Sequence, residues 1–267
     1  MKRRIALAAA FLVVASSADA KIVTKPVAYE QGGVKLEGFL AYDDAKTAKG
    51  KLPGVLVLPE WWGLTAYPKG RAEQLAAMGY VAFAADMYGV GVATEDPKKA
   101  GELAGPFYGK PLLAERARAG LDQLLKSGLV DPTKVAAIGF CFGGSAAQAL
   151  AYSGAPLAGI VSFHGGPVNA PAEVAGKIEA KFLLLNGAAD PMVKPEAKAA
   201  LEKSLEDAKI DYQSVDYAHA LHAFTNADAD RLAKAGGLTG AVGYDEPAAR
   251  RSWKAMQVFF DEIFGKR

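Results

Sequence analysis

Residues 135–151 read VAAIGFCFGGSAAQALA, and this stretch decides the fold. Its apolar start, residues 135–138, predicts a buried strand, and the small residues from Ser145 onward predict a helix. Cys141, the only cysteine of the chain, therefore lies on a sharp strand-to-helix turn. Glycines two residues to either side relieve the crowding of such a turn, so the cysteine side chain can project above the sheet. The pattern predicts a cysteine nucleophile presented on this turn.

The position of Cys141 at a helix start also bears on its chemistry. The helix dipole and free N–H groups there favour a thiolate, and the Phe142 amide is available to a developing oxyanion. The alternative is an isolated buried cysteine that packs as a small apolar side chain. The flanking glycines, and the partner residues described below, favour the nucleophile.

Short apolar runs recur along the chain, most of them bounded by Gly, Pro, Asp or Asn. Such runs are typical of strands buried on both faces. Helical patterns alternate with them, which predicts an α/β fold: a mostly parallel central sheet with helices on both faces. The predicted strands are residues 55–58, 81–85, 135–138, 160–163, 182–185 and 212–217, and the predicted helices are residues 71–78, 111–126, 145–152, 195–208 and 247–264.

The two ends of this pattern have their own signatures. Residues 23–42 alternate weakly around Gly32-Gly33 and predict an antiparallel hairpin at the sheet edge. Asp245 is the predicted N-cap of the last helix, whose apolar stripe is interpreted as core rather than as a ligand site. No internal repeat or low-complexity linker occurs, so residues 21–267 are expected to form a single domain.

Residues 1–20 have the features of a secretory signal peptide. Lys2, Arg3 and Arg4 precede the apolar segment 5–14, and residues 18–20 read Ala-Asp-Ala, a small-x-small cleavage site. About ten apolar residues are too few to span a bilayer, so we expect no retained membrane anchor. The prediction is an exported protein, periplasmic or secreted, with the general secretory route favoured over twin-arginine export.

Charge and cysteine content narrow the class of protein. Cleavage after Ala20 would leave 28 basic and 28 acidic residues, without an obvious basic patch, which argues against nucleic-acid binding. A lone cysteine cannot form an internal disulfide, so stability must come from the core. A free thiol in an oxidising compartment risks oxidation, which favours a functional reason for keeping it.

Two further residues complete a nucleophile, acid and base order along the chain. Asp190 follows the predicted strand 182–185, and His222 follows the strand 212–217, so both are expected at the carboxyl edge of the sheet near Cys141. The order Cys141, Asp190, His222 is that of α/β-hydrolases. Taken singly, Asp190 could be a turn or helix cap, and His222 a surface or core residue.

The histidines do not suggest a metal site. The chain has three, His164, His219 and His222, and the last two are spaced i, i+3 in a predicted loop. That number and spacing are unsuited to zinc. We therefore expect no metal and no organic cofactor.

The chain resembles the dienelactone hydrolase family, cysteine-dependent members of the α/β-hydrolase fold, over nearly all of residues 21–267. Four segments carry the resemblance: LPEWWGL at 58–64, GYVAFAADMYG at 79–89, the cysteine turn, and ALHAFTN at 220–226. The resemblance implies that Cys141 is the nucleophile, His222 the base and Asp190 its orienting partner. It further implies that Glu60 contacts the resting thiol and that the Trp61 and Phe142 amides form the oxyanion hole.

Position alone also places Glu60 at the carboxyl edge, just past a predicted strand. A carboxylate beside a thiol raises the cost of a second negative charge. Cys141 would then rest largely as a thiol until substrate displaces Glu60. The alternative is a solvated loop carboxylate without a role in the site.

The chain departs from this family at two places. Members that cleave dienelactone hold the substrate carboxylate with two arginines, and Val90 and Asn226 stand at the corresponding positions here. Bidentate recognition of a carboxylate is then lost, which predicts a neutral or differently anchored ester or lactone. The substrate pocket is expected to include Trp62, Tyr88, His164 and Asn226, although aromatic residues at a sheet edge often only pack.

The predicted activity is hydrolysis of an ester or lactone through a thioester on Cys141, similar to that of dienelactone hydrolase (carboxymethylenebutenolidase). The expected partner is a small-molecule substrate, with neither nucleic acid nor membrane involved, and the protein is expected to be a monomer or small homo-oligomer. Two alternatives remain: a non-catalytic ligand-binding or redox-sensing protein on the same fold, and, less favoured, a cysteine peptidase. Fold alone does not decide between them.

Overall fold

The computed structural model describes residues 21–265, and the strands in this range form one eight-stranded sheet. They are β1 (Ile22–Gln31), β2 (Val34–Asp43), β3 (Leu52–Leu58), β4 (Val81–Ala84), β5 (Val130–Phe140), β6 (Gly159–Phe163), β7 (Lys181–Gly187) and β8 (Tyr212–Tyr217). Their spatial order is β1-β2-β4-β3-β5-β6-β7-β8. Strands β3 to β8 are parallel, and only the pairs formed by β2 are antiparallel. The predicted α/β fold with a mostly parallel sheet is confirmed.

Helices connect or flank these strands on both faces of the sheet. In the described range they are α1 (Asp44–Thr47), α2 (Ala66–Ala77), α3 (Pro97–Ala104), α4 (Leu112–Lys126), α5 (Phe142–Tyr152), α6 (Pro195–Asp207), α7 (Ala229–Gly236) and α8 (Glu246–Phe264), with short 3-10 helices at Gly105–Phe107 and Ala172–Val174.

The sheet separates two apolar cores, because successive side chains of a strand point to opposite faces. In β3, Leu56 and Leu58 belong to the core that α4, α5 and α6 cover. Val55 and Val57 belong to the other core, which α2 and α8 cover. Strands buried on both faces explain the continuous apolar runs of the sequence.

The hairpin and the last helix form as the sequence predicts. Gly32 and Gly33, at the turn between β1 and β2, have φ values of 60° and 76°. A two-residue hairpin turn with both φ angles positive suits glycine. Asp245 caps α8 by accepting a hydrogen bond from the Ala248 amide at 2.8 Å. Helix α2 differs from its prediction, since it begins at Ala66; Pro68 fits there because the first turn needs no N–H partner.

The predicted signal peptide, residues 1–20, lies outside the described residues. Within residues 21–265, no helix combines the length and apolar character needed to cross a bilayer.

Candidate active site

The parallel strands bring the four predicted catalytic residues to one edge of the sheet. Glu60 follows β3, Cys141 follows β5, Asp190 follows β7, and His222 follows β8. The carboxyl ends of parallel strands lie side by side, and ligands of open α/β sheets bind in the crevice outside them. The topology thus assembles a site from residues distant in sequence.

Cys141 occupies a sharp turn directly before α5. Its backbone has φ 54° and ψ −116°, a conformation that L-residues adopt rarely and that stores strain. A Cβ at Gly139 would collide with the carbonyl of Gly143, and a Cβ at Gly143 would collide with the carbonyl of Leu58. Both glycines are therefore required by close backbone approach, which lets β5 pass so abruptly into α5.

Asp190 and His222 form a buried hydrogen-bonded pair. The distance from His222 Nδ1 to Asp190 Oδ2 is 2.7 Å. The other carboxylate oxygen, Oδ1, accepts a hydrogen bond from the Met192 amide at 2.7 Å. A further bond from the Ala189 amide to the Ala220 carbonyl, at 3.0 Å, ties the two loops together. The carboxylate is thereby held in the orientation that fixes the imidazole.

The second ring nitrogen of His222, Nε2, is buried and has no hydrogen-bond partner within residues 21–265. Burial works against the imidazolium, but the neighbouring Cys141 and the hydrogen bond that His222 Nδ1 donates to Asp190 outweigh it and raise the pKa of His222 to about 10. The arrangement therefore favours a protonated His222 ring, held between the Asp190 carboxylate and the sulfur of Cys141.

Glu60 lines the same cavity, and its carboxyl group is hydrogen-bonded to Asn226. Its Oε2 accepts a hydrogen bond from Asn226 Nδ2 at 2.8 Å, whereas the buried Oε1 has no hydrogen-bond partner among the described residues. In this structure the carboxyl group is thus hydrogen-bonded to the amide of Asn226 and not to the thiol of Cys141. Burial raises the pKa of Glu60 to about 7, although Asn226 and the charge of His222 oppose the shift.

His164 lies behind Cys141 and is 1% exposed. The Cys141 amide donates to its Nδ1 at 3.1 Å and also to the Phe163 carbonyl at 3.0 Å. Because Nδ1 accepts, the ring proton is on Nε2, which donates to Thr225 Oγ1 at 2.7 Å. Burial, helped by the nearby charge of His222, lowers the pKa of His164 well below its ordinary value.

The amides of Trp61 and Phe142, the predicted oxyanion hole, are open. Neither donates a hydrogen bond to another residue in the described part of the chain. Phe142 is the first residue of α5, where a helix leaves its N–H groups without intrahelical partners. Tyr88 steadies the Trp61 loop, since its hydroxyl donates to the Trp61 carbonyl at 3.0 Å.

A cavity of about 200 Å³ opens over the cysteine and contains most of the predicted catalytic side chains. It is lined by Glu60, Trp61, Trp62, Tyr108, Cys141, Phe142, Gly166, Met192, Val193, His222, Ala223 and Val242. Neither lysine nor arginine is in this lining.

Three of the predicted pocket residues stand behind the cavity wall. Tyr88 packs against Phe142, with ring centroids 5.8 Å apart, and His164 accepts a hydrogen bond from the Cys141 backbone amide. Asn226 points inward, to Glu60. Only Trp62, of the four, is on the surface of the cavity. The sequence interpretation missed six residues of the lining: Ala223, beside His222, and five on loops without a motif, Tyr108, Gly166, Met192, Val193 and Val242.

No group of three or more His, Cys, Asp or Glu side chains suited to a metal ion occurs in residues 21–265.

The sheet order, the strained cysteine turn and the acid–histidine pair define an α/β-hydrolase. The model of the dienelactone hydrolase family matches residues 36–264, and the chain belongs to that family. It is also 28% identical over 242 residues to the usf protein of Aquifex pyrophilus, covering 88% of this chain and 97% of that protein.

Solved structures of similar fold include other proteins described as dienelactone hydrolases or as similar to them. A dienelactone hydrolase-like promiscuous phosphotriesterase from metagenomic libraries shares 38% identity, with a TM-score of 0.84, over 91% of this chain and 98% of that one. The dienelactone hydrolase of Anabaena variabilis, 21% identical, has a TM-score of 0.57 over 82% of this chain and 95% of its own, a likeness of fold alone. The protein is therefore a dienelactone hydrolase-like hydrolase.

Proposed function

We propose that the protein hydrolyses an ester or lactone through a Cys141–His222–Asp190 triad and a thioester intermediate. The observation that carries this is the 2.7 Å bond between Asp190 and His222, whose free nitrogen shares the cavity with Cys141. A nucleophile, a base and a group that orients the base are the minimum for this chemistry.

The first half-reaction acylates the cysteine. Cys141 Sγ, its proton held by His222, attacks the carbonyl carbon and forms a C–S bond. The carbonyl oxygen becomes an oxyanion that the open amides of Trp61 and Phe142 stabilise. The carbon–oxygen bond of the ester then breaks, and His222 gives its proton to the departing alkoxide.

The second half-reaction returns the free enzyme. His222, now neutral, takes a proton from water as that water attacks the thioester carbon. The C–S bond breaks, the acid is released, and the thiolate and imidazolium are restored. Asp190 holds the Nδ1 proton throughout, so Nε2 stays available. A thiolate is a good leaving group, which suits this nucleophile to activated esters and strained lactones.

We further propose that the substrate is neutral where it meets the cavity. The lining contains no lysine or arginine, and Val90 and Asn226 replace the arginines that hold a substrate carboxylate in the resembling enzymes. Val90 is 54% exposed, and Asn226 is committed to Glu60. A buried carboxylate, Glu60, would repel an anionic substrate once ionised.

The test is turnover of p-nitrophenyl acetate by the parent and by Cys141→Ala, with an Ala119→Ser variant as the matched control. We expect turnover to vanish only in Cys141→Ala. Mass spectrometry of rapidly quenched parent should show one acetyl group on the peptide that contains Cys141. Full activity in Cys141→Ala would exclude the mechanism, and the non-catalytic alternative would follow if the parent itself were inactive.

A second substrate class is favoured by one comparison. The solved relative at 38% identity is described as a promiscuous phosphotriesterase. A thiolate and two amide donors can serve a phosphoryl group as they serve a carbonyl. Hydrolysis of paraoxon by the parent, lost in Cys141→Ala, would extend the activity to phosphotriesters, and no release of p-nitrophenol above background would remove this candidate.

Location and assembly complete the proposal. We propose that residues 1–20 direct export and are removed, and that the mature protein acts as a monomer or small homo-oligomer. Amino-terminal sequencing of protein recovered from the cell envelope should begin at Lys21, and light scattering gives the mass in solution. An intact amino terminus on exported protein would contradict the first claim.

A further inference from the structure

The cavity over Cys141 is small. Its volume of about 200 Å³ is only somewhat larger than the roughly 150 Å³ of an apolar protein cavity that binds one benzene molecule, so it accommodates a small ester but not a long acyl or alcohol chain. Either the substrate is very small or part of it extends outside the cavity.

A larger groove of about 860 Å³ begins where the cavity ends. It runs between the start of α4, the middle of α5 and the loop after β6. Two residues, Tyr108 and Gly166, belong to both the cavity and the groove. The groove floor is largely apolar, with Pro111, Leu113, Ala149, Tyr152, Val168 and Pro171.

The polar groups of that floor are already satisfied. Tyr152 donates to the Val168 carbonyl at 3.0 Å, and Ser145 donates to the Gly166 carbonyl at 2.8 Å. Charged groups are confined to a rim of mixed sign, where Arg118 is paired with Asp122 at 3.1 Å. The floor therefore offers apolar surface to a ligand and few free hydrogen-bonding groups, which suits a hydrocarbon segment.

Tyr108 separates the groove from the nucleophile. Its ring packs edge-on against Phe142, with centroids 5.7 Å apart. Burial and the charge of Cys141 both raise its pKa, which fits a phenol placed near the sulfur. Tyr108 is nevertheless 49% exposed, so its side chain has room to turn aside for a ligand.

The chemistry decides which part of an ester would enter the groove. The departing oxygen must lie beside His222 Nε2, which protonates it. Two cavity residues lie beside His222: Ala223 follows it in sequence, and Val242 pairs with it in a β-bridge. Neither residue lines the groove. Phe142, against which Tyr108 packs, carries the amide offered to the oxyanion. We propose that the groove binds the acyl chain of the substrate, and that the enzyme prefers esters of long apolar acids.

This inference rests on the proposed function, and the test keeps the two apart. The experiment compares kcat/KM for p-nitrophenyl acetate, butyrate and octanoate in the parent and in three variants. Ala114→Trp and Ala149→Trp fill the groove from opposite walls. Ala119→Trp is the control, since it adds the same bulk on α4 outside the groove.

We expect the parent to prefer octanoate, and both groove variants to lose about tenfold or more on octanoate while acetate changes less than about twofold. The control should behave as the parent. A parallel series of acetate esters with ethyl and octyl alcohols should show no such selectivity.

Two results would overturn the inference. One is an equal loss on all acyl lengths, or none; the other is a selective loss on long alcohols instead of long acids. A change of mass in light scattering for Ala114→Trp and Ala149→Trp, with unchanged acyl preference, would instead make the groove a contact between copies. Absence of turnover in the parent with every ester would defeat the proposed function itself.

Discussion

Two neighbouring histidines of the site have pKa values shifted in opposite directions. The ring centroids of His164 and His222 are 5.3 Å apart, and both rings are buried. Yet the pKa of His222 is raised to about 10, whereas the pKa of His164 is lowered well below its ordinary value. Burial opposes the charged form of both. Only His222 is hydrogen-bonded to a carboxylate, that of Asp190, and lies beside Cys141, and these two groups overcome the cost of burial.

The difference separates two environments around Cys141. His222, on the cavity side, has a buried ring nitrogen without a hydrogen-bond partner among the described residues, which fits the proton transfer proposed for it. His164, behind Cys141, is a fixed neutral ring that joins the Cys141 amide to Thr225, three residues after His222. The Thr225 hydroxyl continues this chain to Tyr67 at 2.7 Å. A neutral ring can thus serve as a spacer between two loops.

The largest effect is expected from removing the anion that distinguishes the two histidines. Asp190→Asn should lower kcat/KM for p-nitrophenyl acetate by about 10³- to 10⁴-fold, because the amide stabilises the wrong tautomer and no longer supports the imidazolium. Alkylation of Cys141 by iodoacetamide, followed against pH, should shift to higher pH. Asp216→Asn, at an exposed carboxylate of β8, is the control. A loss below about tenfold would mean that Asp190 is not the orienting group.

A smaller effect tests the neutral histidine as a positioning residue. His164→Phe should lower kcat by about ten- to a hundredfold with little change in KM, since the Cys141 amide and Thr225 lose their common partner. His164→Gln, which can accept from one and donate to the other, should recover most of the rate. Equal loss in both variants at unchanged thermal stability would contradict a role carried by these hydrogen bonds.

The smallest effect concerns stability and the third buried titrating group. Because the folded pKa of Glu60, about 7, exceeds its ordinary value of 4.5, the folded state holds the proton more tightly. The free energy of unfolding should therefore fall as pH rises from about 4.5 to 7. Glu60→Gln removes this dependence. As pH rises from 5 to 8, its free energy of unfolding, measured in urea, should increase by up to about 3 kcal/mol relative to that of the parent.

The matched control for that measurement is Glu196→Gln, at an exposed position of α6. It should follow the parent at both pH values. If Glu60→Gln shows the same pH dependence as the parent, Glu60 is not held protonated by burial, and its place in the comparison with His222 is lost.

Much of the fold was predictable because it depends on local patterns. Continuous apolar runs predicted β3 to β7, the Gly32-Gly33 pair predicted the hairpin, and Asp245 predicted the start of α8. The start of α2 was not predictable in this way. Its first residues include Pro68 and Gly70, which are typical of loops, and the helix owes its position to packing of Leu75 and Ala76 against the sheet.

The site was predictable only in part, because some of its residues have a recognisable position in the sequence and others do not. Cys141, Asp190 and His222 follow strands, so chain order and the rule of the carboxyl edge located them. Asn226 follows the histidine in sequence but turns inward to Glu60, a contact between loops that no spacing reveals. The cavity residues on motif-free loops, such as Tyr108 and Met192, went unrecognised for the same reason.

The sequence by itself determined the order of the site residues along the chain. A sharp cysteine turn made possible by Gly139 and Gly143 comes first, and an aspartate and a histidine follow later strands. Tertiary structure decided which ring is charged, which carboxyl bonds to what, and where the cavity opens. The physical reason is that strand and turn formation depend on neighbours along the chain, whereas burial and charge pairing depend on groups brought together from distant segments.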